Sequence, residues 1–356
     1  MLEKALIATS GKPILRVAIE QDAFPAPREP FRPPRYSQPR WSMSYKFKVC
    51  ETFAEGLRRI ASEQVNRTAA CLQPGNDVHK GVHEARKSLK RLRALLALYR
   101  TCLDDAYYQD IDRAFRDMAR ALSGAREIQG MLDSLAHLEK RFGRQGRNKV
   151  LTTLHGQLQE SRGHVSSNGL STGPSGTDIE QALADAGGRI DALRLTRDDF
   201  EAIRPGIEQT YRAARHWHER AFEEGTGESF HEWRKTLQRH WRHMQLLTPA
   251  WPHDLRARAQ LLRAIAETVG QDHDLTVLDL HLAQSGRSLG TAAQIRSCRA
   301  LCRQRQIELR ASVYCDGQRL FAEGAAAFSK RMGRYWRLAG LESDKPSRAL
   351  EPAAAE

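Results

Sequence analysis

From Glu51 onward, apolar residues return every three or four positions among abundant Ala, Leu, Arg and Glu, the period of helices with one face in a core. Few segments show the alternation of two that a half-buried strand needs, so the pattern predicts an all-α protein. The period fails in three places. Pro25, Pro27, Pro30, Pro33, Pro34 and Pro39 crowd a leader whose backbone cannot stay helical, and residues 1–42 are expected to be disordered. Residues 163–178, rich in Gly, Ser and Thr, are expected to form a flexible linker, and residues 343–356 a polar, disordered tail. Between them lie two helical segments, 43–162 and 179–342. Met43 opens the run Met-Ser-Tyr-Lys-Phe-Lys-Val, which reads as the start of a folded domain and offers a start of translation alternative to Met1.

The two segments are related. Val82-His83-Glu84-Ala85-Arg86-Lys87-Ser88-Leu89-Lys90-Arg91 aligns with Phe230-His231-Glu232-Trp233-Arg234-Lys235-Thr236-Leu237-Gln238-Arg239 at a spacing of 148 residues. Leu122-Ser123-Gly124-Ala125-Arg126-Glu127-Ile128 aligns with Val269-Gly270-Gln271-Asp272-His273-Asp274-Leu275 at 147. Two motifs held in register over that span argue for a duplication. The expected architecture is a pair of pseudo-symmetric antiparallel helical bundles, facing each other across a pseudo-twofold axis with the repeated motifs converging.

On a helical wheel of about 100° per residue, His83, Arg86, Lys87 and Lys90 share one face, with Arg91 and Arg93 at its edges. Val82, Ala85, Leu89, Leu92, Leu95, Leu96 and Tyr99 form the opposite face, predicted to enter the core. The second copy sets His231, Arg234, Lys235 and Arg242 against Phe230, Trp233, Leu237, His240, Met244 and Leu247. Gln238 stands where the first copy has Lys90, and Arg242 restores a cation one turn later. Like charges at these spacings repel by a few tenths of a kcal/mol per pair, roughly, so two such stripes ask for a ligand. Asn76 and Asp77 are candidate helix caps, which would put His79 and His83 near the positive end of the helix dipole.

Charge names the ligand class. The chain holds 56 Lys and Arg against 43 Asp and Glu, a formal net charge of +13, and favours anionic partners. Guanidinium forks, lysine point charges and histidine donors together suit a chain of phosphates, whose binding weakens steeply with salt. Apolar runs are too short for a membrane span and no signal-peptide layout opens the chain, which points to the cytoplasm. The six cysteines form no Cys-x-x-Cys pair and read as packed, reduced thiols.

The His83-x-x-Arg86-Lys87-x-x-Lys90-Arg91-x-Arg93 motif and its copy at His231 resemble those of the CHAD family, the conserved-histidine α-helical domain. The segments at Leu122 and Val269, and Phe53-Ala-Glu-Gly-Leu-Arg-Arg-Ile, resemble that family as well, over residues 44 to 340. The resemblance implies two antiparallel bundles enclosing a basic groove or pore that binds inorganic polyphosphate, at polyphosphate granules, with no catalytic activity and no cofactor. It carries the binding role to His83, Arg86, Lys87, Lys90, Arg91, Arg93, His231, Arg234, Lys235 and Arg239, and the wheel adds Arg242.

Two other readings compete. RNA and DNA offer the same phosphate charge, but base recognition usually adds aromatic platforms, and aromatic residues are only 7% of this chain. A phosphohydrolase or phosphotransferase using His83 would need a phosphate loop or paired metal carboxylates, and neither accompanies it. His83-Glu84 and His231-Glu232 begin like a zinc motif, yet cations occupy the positions of the second ligand.

Overall fold

A computed structural model describes residues 45–73, 75–122, 124–143, 148–168 and 176–343. Eleven α-helices and no strand occur among these residues: α1 (Phe53–Leu72), α2 (Val78–Leu98), α3 (Asp105–Ala121), α4 (Gly124–Phe142), α5 (Lys149–Asn168), α6 (Gly176–Asp191), α7 (Arg204–Glu224), α8 (Gly227–Leu246), α9 (Pro252–Leu289), α10 (Ala292–Leu320) and α11 (Ala325–Ser343). The expected disordered leader and tail lie outside the described residues, except that Ser343 ends α11.

Local chemistry sets the starts and stops. Thr52 and Glu55 form a capping box on α1, and the Asp77 side chain accepts from the Lys80 amide at 2.9 Å at the start of α2. Gly225, in the left-handed conformation at φ 65°, ends α7, and Thr226 caps α8 immediately afterwards. The stretch expected to be an open linker is helical at both ends, since α5 runs to Asn168 and α6 begins at Gly176. A helix already nucleated over Leu151, Leu154 and Leu158 propagates through Ser and Asn at small cost per residue. Residues 169–175 are not described.

Every residue assigned to the apolar faces of the two repeat helices is buried, from Val82 to Tyr99 in α2 and from Phe230 to Leu247 in α8. They enter a core built from α1, α2, α3, α6, α7, α8, α11, the first half of α9 and the end of α10. A second core joins α4, α5, the second half of α9 and the start of α10. The cores therefore do not follow the boundary between residues 162 and 179. The 38-residue α9 enters both.

The repeated elements meet their counterparts. Helix α2 contacts α8, and α4 contacts α9. The Nε2–H of His243 in α8 donates to the Ala94 carbonyl of α2 at 2.8 Å. Gly130 of α4 lets the Asp274 carboxylate of α9 approach to 3.4 Å of where a Cβ would stand. Tyr45 and Phe47 also join this frame, as both are buried and the Phe47 amide donates to the Leu246 carbonyl at 3.0 Å.

Helices α2 and α7 cross more tightly still. A Cβ on Gly206 would lie 2.3 Å from the Leu98 carbonyl oxygen and 2.6 Å from its Cα, both backbone atoms that cannot swing aside. Gly206→Ala is expected to cost about 3 kcal/mol through forced separation of the helices. The urea midpoint should fall while its slope stays constant; a variant as stable as the parent would contradict the close crossing.

Candidate functional site

The basic face of α2 divides by position. At its centre His83 is exposed, and Lys87 reaches Glu84 at 3.2 Å, a carboxylate also held by Arg67 of α1 at 2.7 Å. Burial works to raise the Glu84 pKa, but Lys87 and Arg67 outweigh it and hold the group below its ordinary range. Lys90 is half-buried on the same face.

At one edge Arg86 donates to the Ala119 carbonyl, and Arg93 makes a two-pronged pair with Asp112 at 2.8 and 3.0 Å, so both tie α2 to α3. At the other edge Arg91 lies over the Tyr45 ring at 5.3 Å and donates to the Gln64 side chain of α1 at 3.3 Å. These three arginines, expected as groove cations, act as ties to neighbouring helices. They flank the apolar face, where α1 and α3 dock.

On α8, Lys235 is exposed and paired with Glu232 at 2.7 and 2.9 Å. His231 lies with its Nδ1 at 3.2 Å from the Nδ1 of His273 in α9, ring centroids 4.3 Å apart. The Arg234 guanidinium packs on Gly270 of α9, where a Cβ would come within 3.3 Å of its Nε. Arg239 makes no ion pair among the described residues.

Arg242 does not reach solvent. It is 5% exposed, lies 4.9 Å over the Trp241 ring, and donates to the Gln238 carbonyl at 2.6 Å. The reason is the meeting of α2 with α8, which covers the end of the basic face next to His243. Burial pushes the Arg242 pKa down to about 10; Tyr45 opposes this, while Arg91 and Arg234 add to it. No carboxylate is among those neighbours. At Tyr108, Arg239 of α8 and Arg93 of α2 act on the same phenol, whose pKa burial and Asp112 raise against the arginines. Arg242 thus lies near Arg91, and Arg239 and Arg93 near one phenol, where α2 meets α8.

A cleft of about 210 Å³ opens beside this meeting. Asp133, Ser134 and His137 of α4 face Arg234, Gln238 and Trp241 of α8, and α9 adds Ala266, Glu267, Gly270, Gln271 and Asp274. Its charge is mixed, with three carboxylates around Arg234.

The sequence matches the family model of the CHAD domain over residues 59–283, more than half of the chain and including both basic helices. The chain belongs to the CHAD domain family. The crystal structure of the CHAD domain from the plant Ricinus communis superposes with a TM-score of 0.58 at 18% identity, covering 82% of this chain and 99% of that one. PptA from Streptomyces chartreusis superposes with a TM-score of 0.54 at 14% identity, covering 75% and 98%. At those identities the likeness carries the fold. No curated protein matches by sequence.

The structure of this CHAD domain adds site residues that sequence reasoning missed. His273 is one; its place in the second repeated segment was a signal, but its partner lies 42 residues away. Asp272, 1% exposed, is another, held by Arg310 of α10 at 2.7 and 3.2 Å, with burial raising its pKa against the arginine. No group of three His, Cys, Asp or Glu among the described residues is arranged to hold a metal ion.

His240 and His243 sit fully buried behind the basic face. His240 is enclosed by Tyr211, Phe321 and Phe328. Burial depresses His240 well below its ordinary pKa and His243 to about 3. The unfolded chain binds protons at these residues near pH 6.5 while the folded chain does not, so stability falls as pH drops below about 6.5. Two such histidines predict a loss of about 3 kcal/mol between roughly pH 6.5 and 5. Urea unfolding at the two pH values measures it; stability that held level or rose on acidification would show the rings to be accessible to protons.

Proposed function

We propose that this CHAD domain binds inorganic polyphosphate, without catalysis, along the basic faces of α2 and α8. The observation that carries this reading is the buried Arg242, whose electrostatic neighbours are Arg91, Arg234 and a neutral tyrosine. A guanidinium desolvated beside two others raises the positive potential over the adjoining surface. A linear anion on that surface offsets the repulsion. His83, Lys87 and Lys90 would meet the phosphates on the first copy, and His231, Arg234, Lys235 and Arg239 on the second. Arg86, Arg91, Arg93 and Arg242 would act from behind, through position and field. The polymer's place of binding would be the cytoplasm, at polyphosphate granules.

The lysines are the cleanest probes, since Arg86 and Arg234 are packed against backbone. Lys87→Gln with Lys235→Gln is expected to fold normally and to weaken polyphosphate binding. The plot of log affinity against log salt should lose about 1.4 of its slope, roughly 0.7 for each phosphate contact removed. Long-chain polyphosphate should displace RNA at equal phosphate concentration. Wild-type affinity that ignores ionic strength, or RNA that resists displacement, would overturn the reading.

A further inference from the structure

The two imidazoles at the second copy carry an inference that deepens the polyphosphate reading and rests on it. His231 and His273 come from different helices, and their Nδ1 atoms lie 3.2 Å apart. At that distance one Nδ1–H donates to the other's Nδ1 lone pair, which requires at least one neutral ring. The pair therefore holds at most one extra proton, shared between both nitrogens. With no third ligating side chain grouped there among the described residues, a proton accounts for the arrangement better than a metal ion.

We propose that His231 and His273 act as a single proton-sharing unit that takes up one proton when a phosphate chain seats beside Arg234, so that the second copy of the repeat tightens its grip as pH falls.

The surroundings keep the unit neutral when no anion is present. From α8, Arg234 and Lys235 repel a proton on His231, against Glu228 and Glu232. Arg234 and His231 repel one on His273. Farther off, α4 brings Asp133 and His137 to the cleft that Arg234 shares with Asp274 and Glu267 of α9. Asp272, one residue before His273, is engaged by Arg310 of α10. Burial, then these cations, lowers both histidines, His273 to about 4. A bound phosphate chain reverses the sign of the local field and favours the protonated form.

The first copy lacks this device in its sequence. In the register of the repeat, position 273 corresponds to Arg126, which cannot lose its charge near neutrality. The second copy thus carries a titratable residue where the first carries a permanent cation.

Linkage fixes the sign. A group whose pKa is higher in the complex than in the free protein makes affinity rise as pH falls through the bound value. The rise approaches at most about tenfold per pH unit for one proton. It levels off near pH 4, where the free pair is protonated too. The test is calorimetric binding of long-chain polyphosphate from about pH 8 to about pH 5.5 at constant ionic strength, in buffers of different protonation enthalpy. Long chains keep the titrating end groups negligible.

Wild type should take up close to one proton towards the acid end and bind several-fold tighter per pH unit. His231→Gln with His273→Gln, which also removes a phosphate contact, should bind more weakly than wild type at the alkaline end and take up about one proton fewer, leaving only what His83 supplies. Should that variant unfold, as circular dichroism would show, His273→Arg serves in its place. It writes the first copy's residue into the second and should also bind with little pH dependence. Uptake as large as wild type's in a folded variant, or wild-type binding with no uptake, overturns the proton coupling alone. Absence of polyphosphate binding at every pH overturns the coupling and the polyphosphate reading together.

Discussion

Two helices bearing like charge are held against each other, and the rest of the domain is arranged to make that tolerable. At a separation of about 7 Å and an effective dielectric near 20, two guanidiniums repel by about 2 kcal/mol. The apolar strips behind them supply far more. Leu89, Leu92, Trp233 and Leu237 are all fully buried, and each such side chain contributes about 1.5–3 kcal/mol relative to exposure. The core therefore sets where the cations go. The directional contact that fixes the meeting is the His243 ring donating to the Ala94 carbonyl, and burial keeps that imidazole neutral.

That hierarchy explains why chemically equivalent arginines end in different roles. Those at the edges of the α2 face meet the helices that dock there and are taken up as ties, Arg93 to Asp112 and Arg86 to the Ala119 carbonyl. Those covered by the partner helix become internal charge, as Arg242 does. His83, Lys87 and Lys235 remain towards solvent, and the two lysines are only lightly engaged, by acids one turn away in the same helix. Such exposed pairs are worth less than about 1 kcal/mol and exchange readily for a phosphate.

The all-helical class, both apolar faces and the contact between repeated elements were legible in the sequence because each follows from a period or a register. The spacing of Leu89 and Leu92 states which side is buried. Arg93 and Arg242 were not legible in the same way. Their fate depends on Asp112 of α3, and on an approach of two helices 149 residues apart at Ala94 and His243. A wheel places a residue on a face but does not say what will cover that face. The two shared cores were hidden for the same reason, since the division at residues 163–178 marks a change in composition and not in packing. Helix α5 continues into it because helix propagation tolerates polar residues once a buried face has nucleated the turn.

Duplication leaves a further question that burial answers. A symmetric pair of motifs would apply the same charge at both ends of a bound chain, yet the copies diverge at Lys90 against Gln238 and at Arg126 against His273. The second copy is also the one whose basic helix has its terminal cation covered, at Arg242. Adding a permanent charge at position 273 would deepen the repulsion that Arg234 already exerts there. A histidine avoids it, because the ring stays neutral while the face is empty and can accept charge when an anion is there to meet it. The asymmetry between the copies then follows from the arginine that already stands beside this position in the second copy.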